Sequence, residues 1–390
     1  MKVVWVSHSG LLLGAERSLM EGVKGLMATG VELHAVVPSD AGLANRMRNM
    51  KVPVSVIPFS WWMSPKGRRS PAHRLLHLYR NLRAWRRLTK LLKQYRPDLV
   101  VTNTLVIPFG AMAAKSAGVA HVWYIHELAS NDHGLYFDFG ESLSFYLINK
   151  LSDRVIVNSS AVREKFSKHI AEDKMRLIFY AVETPAMIQQ ATRDDADFSL
   201  VIVGALAQGK RQEDAVRAVS ILARKGIKTR LDIVGGGGND YERYLRRLVK
   251  ELGVEESIRF IDFTESPFSY YASADVALMC SRNEAFGRVT VEAMKMGRPV
   301  IGANSGGTPD LITDGWNGLL YKPGSAEELA EKIELLYYDR EMLREMGENA
   351  YEWSNQTFNL QKYASNLLSV FQESVGARAK QVTEGEAQSI

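Results

Sequence analysis

Short β-branched runs alternate with helical segments almost from end to end of this chain, the pattern of parallel strands joined by crossover helices. Strands are expected at Lys2 to Ser7, Val31 to Val37, Val54 to Ile57, Leu99 to Thr102, His121 to Ile125, Arg154 to Val157 and Met175 to Ile178. A second series follows at Ser199 to Val203, Arg230 to Val234, Ile258 to Ile261, Val276 to Met279, Pro299 to Ile301 and Gly318 to Tyr321. Between the two lies a polar stretch, VETPAMIQQATRDDAD, with a proline and no sustained period. We therefore expect α/β architecture in two domains, 1–182 and 198–355, separated by a linker at 183–197. A helix over 356–375 could return to the first domain, and a disordered tail is expected over 376–390. Doubly wound sheets bind ligands beyond the carboxyl ends of their strands, so the chemistry is expected where two such ends face each other across a cleft.

The length of 390 residues agrees with two cores, and the composition is that of an ordinary folded protein. Cys280 is the single cysteine, which excludes an intrachain disulfide or a cysteine zinc site and suits a reducing compartment. Six strand-like residues precede the first glycine and no run of eighteen apolar residues occurs. Neither a secretory leader nor a membrane-spanning helix is expected, and a cytoplasmic location is the default. Any membrane contact would be peripheral, on the inner face of the cell membrane.

Charge is distributed unevenly. Residues 41–97 hold fourteen Lys or Arg and no Asp or Glu, leaving 35 basic against 44 acidic side chains elsewhere. Within this block Leu75, Leu78, Leu82, Trp85, Leu88, Leu92 and Tyr95 recur at helical spacing, with Arg80, Arg83, Arg87 and Lys90 on a neighbouring face. Upstream, Trp61, Trp62 and Met63 beside Lys66, Arg68 and Arg69 form an apolar wedge with a cationic collar. Two readings stay open: the stripe packs on a domain core while the arginines are solvated, or the face docks on anionic lipid. Nucleic acid is disfavoured, because the patch is confined to one helix and no recognition module accompanies it.

Three glycine turns follow expected strands and precede helices, where backbone N–H groups favour anions. The first, GLLLGAE, contains Gly14, which admits either a diphosphate or nothing. The second, GALAQGKR from Gly204, matches a phosphate-cradling loop except that Arg211 replaces the hydroxyl residue that holds Mg²⁺. What survives is a metal-independent phosphate clamp with Lys210 and Arg211 as cations. The third, GGGGND from Gly235, lacks dinucleotide spacing and reads as a permissive turn lining the ligand site.

The most informative segment is SRNEAFGRVTVEAMKMGRPVIGANSGGTPD. Glu284 falls in the loop after a strand and Glu292 in the helix that follows, with seven residues between them. One carboxylate suits the hydroxyls of a pyranose and the other those of a ribose, with the N–H groups near Phe286, Gly287 and Arg288 meeting a diphosphate between them. Each glutamate alone is more often a solvated helix residue. The Gly306-Gly307 turn before Thr308-Pro309-Asp310 suits backbone approach, though ordinary capping explains it almost as well. In the first half, His126-Glu127 ends a strand, where His126 is a candidate for a polar contact to a substrate. No histidine spacing suits a metal; His73 and His77 lie in the cationic helix, a poor place for a dication.

On these residues the chain resembles the retaining glycosyltransferases built from two Rossmann-like domains (GT-B fold, group 1, family 4-like) whose signature is E-x7-E, here Glu284 to Glu292. The resemblance runs from residue 2 to 375 through SGLLLGAERSL, WYIHE, SDRVIVNSS, VGALAQGKRQEDAVRA, LDIVGGGG and SGGTPDLI. It implies that Glu292 binds the ribose, Glu284 the donor sugar, Phe286 and Gly287 the diphosphate, and Lys210 its charge, with Gly14 and His126 completing the site. The implied reaction moves a sugar from a nucleotide diphosphate sugar to an acceptor hydroxyl, without a metal or other cofactor and without a dedicated nucleophile. Two departures stand out: Gly204-Ala205 replaces the usual Gly-Arg, and Tyr180-Ala181-Val182-Glu183 replaces the usual Asn-Gly-Val-Asp entering the linker. The basic first domain is expected to face a glycan or lipid-linked acceptor. The rivals are an epimerase or phosphorylase of the same shape, a non-catalytic sugar-nucleotide or lipid-binding subunit of a synthase complex, and a P-loop ATPase, which Arg211 disfavours.

Overall fold

The computed structural model describes residues 1–12, 14–65, 71–128, 134–186, 197–238 and 240–387. It divides into two compact units, Met1–Ala181 joined by the C-terminal segment from Leu360, and Val182–Asn359. Most of the expected linker, residues 187–196, lies outside the described residues.

Unit 1 is built on a parallel sheet of β1 (Lys2–Val6), β2 (Glu32–Val37), β3 (Val54–Val56), β5 (Leu99–Asn103), β6 (Ala120–Ile125), β8 (Arg154–Val157) and β9 (Met175–Leu177), in the order β3-β2-β1-β5-β6-β8-β9. Helices α1 (Gly14–Ala28), α2 (Gly42–Asn49), α3 (Pro71–Tyr95), α4 (Phe109–Ala117), α5 (Glu141–Leu151) and α6 (Ser160–Ser167) connect these strands. The sequence has near-continuous apolar runs in β5 and β6 because helices cover both faces, and every residue of both strands is buried. Two strands escape the sequence reading: β4 (Met63–Pro65) and β7 (Leu135–Phe137) pair antiparallel away from the main sheet. At three residues each they are too short to show a period.

Unit 2 contains β10 (Phe198–Val203), β11 (Thr229–Val234), β12 (Ile258–Ile261), β13 (Val276–Met279), β14 (Val300–Ala303) and β15 (Gly318–Tyr321), all parallel, in the order β12-β11-β10-β13-β14-β15. That is the classical doubly wound order, with its switch point between β10 and β13. Helices α7 (Gln212–Arg224), α8 (Asp240–Leu252), α9 (Phe268–Ser273), α10 (Arg288–Lys295), α11 (Thr308–Leu311), α12 (Ala326–Tyr338) and α13 (Arg340–Thr357) complete it. In unit 1 the equivalent switch point lies between β1 and β5.

The last helix, α14 (Leu360–Ala387), packs on α1 of unit 1. Close approach is possible because Gly22 and Gly25 lack side chains: a Cβ on Gly25 would stand 2.7 Å from that of Ala364. The Tyr363 hydroxyl reaches that of Tyr124 at 3.1 Å, and Glu373 pairs with Arg154 and Arg176. A disordered tail from Gly376 is expected from the sequence, and the structure corrects this, since α14 continues through Ala387. The segment GARAKQVTEGEA is rich in good helix formers and contains no proline, so a helix already nucleated by packed turns extends into it at little cost.

His121 is buried, with Nε2 2.8 Å from the Thr102 hydroxyl and its backbone N–H donating to Asp153 at 2.7 Å. Burial pushes this imidazole down to about 3, against about 6.5 for a free histidine. The neutral ring is the folded form, so its contribution is present above pH 6.5 and is lost as pH falls toward 3. Urea unfolding between pH 6.5 and 4.5 is expected to show this loss, worth about 1.4 kcal/mol per pH unit for one proton. The His121→Asn variant should have a slope shallower by about that amount; an identical slope would remove His121 from the account.

Candidate active site

The site residues of unit 2 are brought together by loops at the carboxyl ends of β10, β13 and β14, beside the switch point. After β10 the chain makes a 3-10 turn over Gln208–Lys210. The Lys210 ammonium reaches the Glu284 carboxylate, in the loop after β13, at 2.5 Å. Seventy-four positions separate these residues, and Arg282 N–H donating to the Gly209 carbonyl at 2.9 Å ties their two loops together. The third loop, after β14, clasps the backbone of Glu284: Gly307 N–H donates to the Glu284 carbonyl at 2.7 Å, and Ser305 Oγ donates to the Arg282 carbonyl at 2.6 Å. At Gly306, φ is +58° and a Cβ would lie 2.3 Å from the Glu284 carbonyl oxygen. Only glycine fits there.

Gly287 precedes α10, and no side chain caps that helix, so its first turn presents backbone N–H groups of the kind that bind anions. Arg288 opens α10 and is half-buried. The Phe286 ring is buried against Phe358, so this residue has only its backbone to offer a ligand. Glu292 is buried on α10, with the Tyr271 hydroxyl of α9 3.4 Å from its carboxylate. Burial and the neighbouring Glu292 push the Tyr271 phenol well up, keeping it a hydrogen-bond donor. Gly235 makes room for backbone: a Cβ there would lie 2.0 Å from the Gly204 carbonyl oxygen.

Arg211 has a different task from the one expected. Its guanidinium makes a two-pronged pair with Asp214 at 2.8 and 2.7 Å, and these bonds, set against partial burial, push its pKa up. The guanidinium is thereby anchored to the first turn of α7.

In unit 1, Gly14 opens α1 with nothing within 4 Å of where a Cβ would stand. His126 follows β6, and both its ring nitrogens are engaged within unit 1. Nδ1 meets the Tyr180 hydroxyl, and Nε2 lies 2.8 Å from Asn103 Oδ1. Burial, with His8 nearby, pushes the ring down to about 3. His126 is thus a neutral ring held from both sides. The sequence reading missed His8 and Glu16, whose side chains pair at 3.0 Å after β1 and in α1, with Glu16 fully buried. It missed Asn103, Tyr180 and Tyr271 as well, since none carries a local motif.

The basic block divides. Trp62 and Met63 are buried and not a membrane wedge: Trp62 stacks on Trp123 and donates its indole N–H to the Leu105 carbonyl at 2.7 Å. Trp61 remains partly exposed, its N–H donated to the His8 carbonyl at 3.0 Å. Lys66, Arg68 and Arg69 lie outside the described residues. Arg80, Arg83, Arg87 and Lys90 are exposed on α3. The apolar stripe of that helix is buried at Leu88 and Leu92 but exposed at Leu75 and Leu78. Among the described residues no cluster of three or more metal-ligating side chains occurs, and no helix is long and apolar enough to cross a membrane.

Two doubly wound domains, each with polar loops at its switch point, define a protein of the GT-B fold class. Residues 183–353 match the family described as glycosyl transferases group 1 and residues 13–184 match glycosyltransferase family 4; the chain belongs to these GT-B glycosyltransferases. It is 25% identical over 268 residues to an uncharacterized glycosyltransferase of Haemophilus influenzae, covering 68% of this chain and 74% of that one. It is 32% identical over 182 residues to a D-inositol 3-phosphate glycosyltransferase of Corynebacterium aurimucosum, spanning 45% of this chain and 43% of that one. The fold is shared with Anabaena HepE, solved with UDP, at a TM-score of 0.80 and 22% identity over 95% of this chain and all of that one.

The clasp on Glu284 makes a test. Gly306→Ala forces a Cβ into the Glu284 backbone and strains a left-handed residue, so unit 2 is expected to lose about 1–3 kcal/mol in chemical unfolding. Stability equal to wild type would show that the third loop does not hold Glu284.

Proposed function

We propose that this glycosyltransferase moves a sugar, with retention at the anomeric carbon, from a nucleotide diphosphate sugar to a hydroxyl of a lipid-linked or polysaccharide glycan. The Lys210–Glu284 pair at the β10/β13 switch point carries this reading. It is a partly exposed ion pair with each partner suited to one half of such a donor. An arriving diphosphate competes for the Lys210 ammonium and for the N–H groups at the start of α10. Glu284 is then released to accept hydroxyls of the sugar, while Glu292 accepts those of the ribose. UDP is the nucleotide to try first, because the similar Anabaena protein was solved with UDP and with UDP-glucose.

The side chains offered here are carboxylates, an ammonium and backbone donors, which position and neutralise charge and do not attack carbon. In the reading we favour, the bond from the anomeric carbon to the phosphate oxygen breaks as the acceptor oxygen bonds on the same face. The acceptor proton passes to the departing phosphate oxygen. Lys210 and the α10 N-terminus balance the charge left on the nucleoside diphosphate, so no metal ion is required. The exposed cations of α3, Arg80, Arg83, Arg87 and Lys90, place unit 1 against an anionic membrane surface where a lipid-linked acceptor resides.

With EDTA present, the wild-type chain is expected to release nucleoside diphosphate only when an acceptor is supplied. Glu284→Ala should transfer at least ~100-fold more slowly while its circular dichroism is unchanged. A variant as fast as wild type would remove Glu284 from the site, and formation of a new nucleotide sugar would favour an epimerase. In co-sedimentation, vesicles containing anionic lipid should recover the protein and neutral vesicles should not; equal recovery from both would end the membrane assignment.

A further inference from the structure

Unit 1 contains a cavity of about 330 Å³ that the donor chemistry does not use. It opens between α3, α4 and α5, and the spacing of its lining is helical on both sides: Leu78 and Leu82 on α3, Leu143 and Leu147 on α5, with Met112 of α4 between them. Three of its polar members are engaged elsewhere. Asn81 Oδ1 accepts the Ser60 N–H at 2.9 Å, Asp138 accepts the Ser64 hydroxyl at 2.9 Å, and the indole of Trp62 is bonded to the Leu105 carbonyl. Most of what faces the space is hydrocarbon, with Arg74 and His77 of α3 also on the lining.

Three further observations say what belongs there. Large apolar side chains remain exposed around the opening: Phe139 at 52%, Leu143 at 50% and Leu78 at 43% exposure, a concentration that a solvated surface does not explain. A cation stands at the rim, where Arg74 lines the cavity on a helix that carries no acidic residue, while the lining carboxylate of Asp138 is bonded to Ser64. Finally, Trp61 belongs both to the cavity wall and to the polar loops, since its indole N–H is held by the carbonyl of His8, the residue that pairs with Glu16 beyond β1. A small polar ligand would find few hydrogen-bonding groups to orient it inside. An aliphatic chain needs none, and an anionic head at its end would find Arg74.

We infer that this cavity receives the aliphatic chain of the acceptor, a lipid with a phosphate head, and that Trp61 marks where its head turns toward His8 and the carboxyl end of β1. The inference rests on the lipid-linked acceptor proposed above and names the part of the chain that recognises it. Basic residues of α3 bring the protein to the bilayer, and the cavity selects one chain from it.

The test uses the full-length protein and monoalkyl phosphates of six to twelve carbons, each below its micelle concentration, with binding read by tryptophan fluorescence and calorimetry. Affinity is expected to rise about tenfold for every two methylenes added, whereas inorganic phosphate should not bind detectably. Decyltrimethylammonium should bind at least tenfold more weakly than decyl phosphate, because Arg74 repels it. Leu147→Trp, which fills the space, should abolish chain binding. Leu143→Gln, at an exposed position where folding is safe, should weaken it by about tenfold. UDP is titrated into the same samples by thermal shift. Alkyl phosphates that fail to bind while UDP does would overturn the cavity assignment and leave the donor reading intact. Alkyl binding without a shift from UDP or any other nucleoside diphosphate would support the cavity and sink the donor reading. Wild-type affinity in both leucine variants, or a change in sedimenting mass in place of a change in alkyl binding, would overturn the lipid assignment, the latter giving this face to a protein partner.

Discussion

The arrangement depends on a constraint of parallel sheets: where successive crossover helices leave to opposite sides, the loops at the carboxyl ends of two neighbouring strands are left uncovered together. In unit 2 those strands are β10 and β13, and their loops carry Lys210 and Glu284. In unit 1 they are β1 and β5, which end beside His8 and at Asn103. Elsewhere in either sheet a polar side chain would be buried under a helix and would need a partner. At the switch point it is available to a ligand.

Holding such a group available requires that its backbone be fixed by something other than its side chain. Around Glu284 the fixing is done by main-chain bonds from Gly307 and by the contact that excludes a Cβ from Gly306. The carboxylate is therefore oriented by its backbone and reaches the Lys210 ammonium at the edge of the site. Arg211 shows the opposite case. A guanidinium gripped at two points by the buried Asp214 is immobile and adds to the stability of α7, leaving Lys210 as the cation beside Glu284. Two adjacent cations in the sequence thus differ in kind, one able to change partners and the other fixed.

His126 and the basic helix show the same division at larger scale. The imidazole stands where a substrate contact is expected, yet Tyr180 and Asn103 take both its nitrogens, and they come from positions 54 and 23 residues away. Along α3 a single uninterrupted stripe of leucine and aromatic residues serves two purposes. Leu88 and Leu92 are buried, while Leu75 and Leu78 stay in the open. Periodicity identifies the helix and its apolar face, but whether a given turn of that face is covered depends on where α4 and α5 end.

The alternation of strands and helices, the two-domain division and the paired glutamates follow from the sequence alone, because strand period, turn chemistry and a strand-to-loop-to-helix motif are properties of contiguous residues. Two three-residue strands and the continuation of α14 past Gly376 did not emerge, since the former carry no period and the latter depends on a helix already docked on α1. Tertiary structure alone decided that Lys210 meets Glu284, that Asp214 grips Arg211 at two points, that Trp62 is core and Trp61 is not, and that a cavity lies under α3. Each of these depends on which distant side chain occupies the neighbouring space, and local sequence contains no record of that.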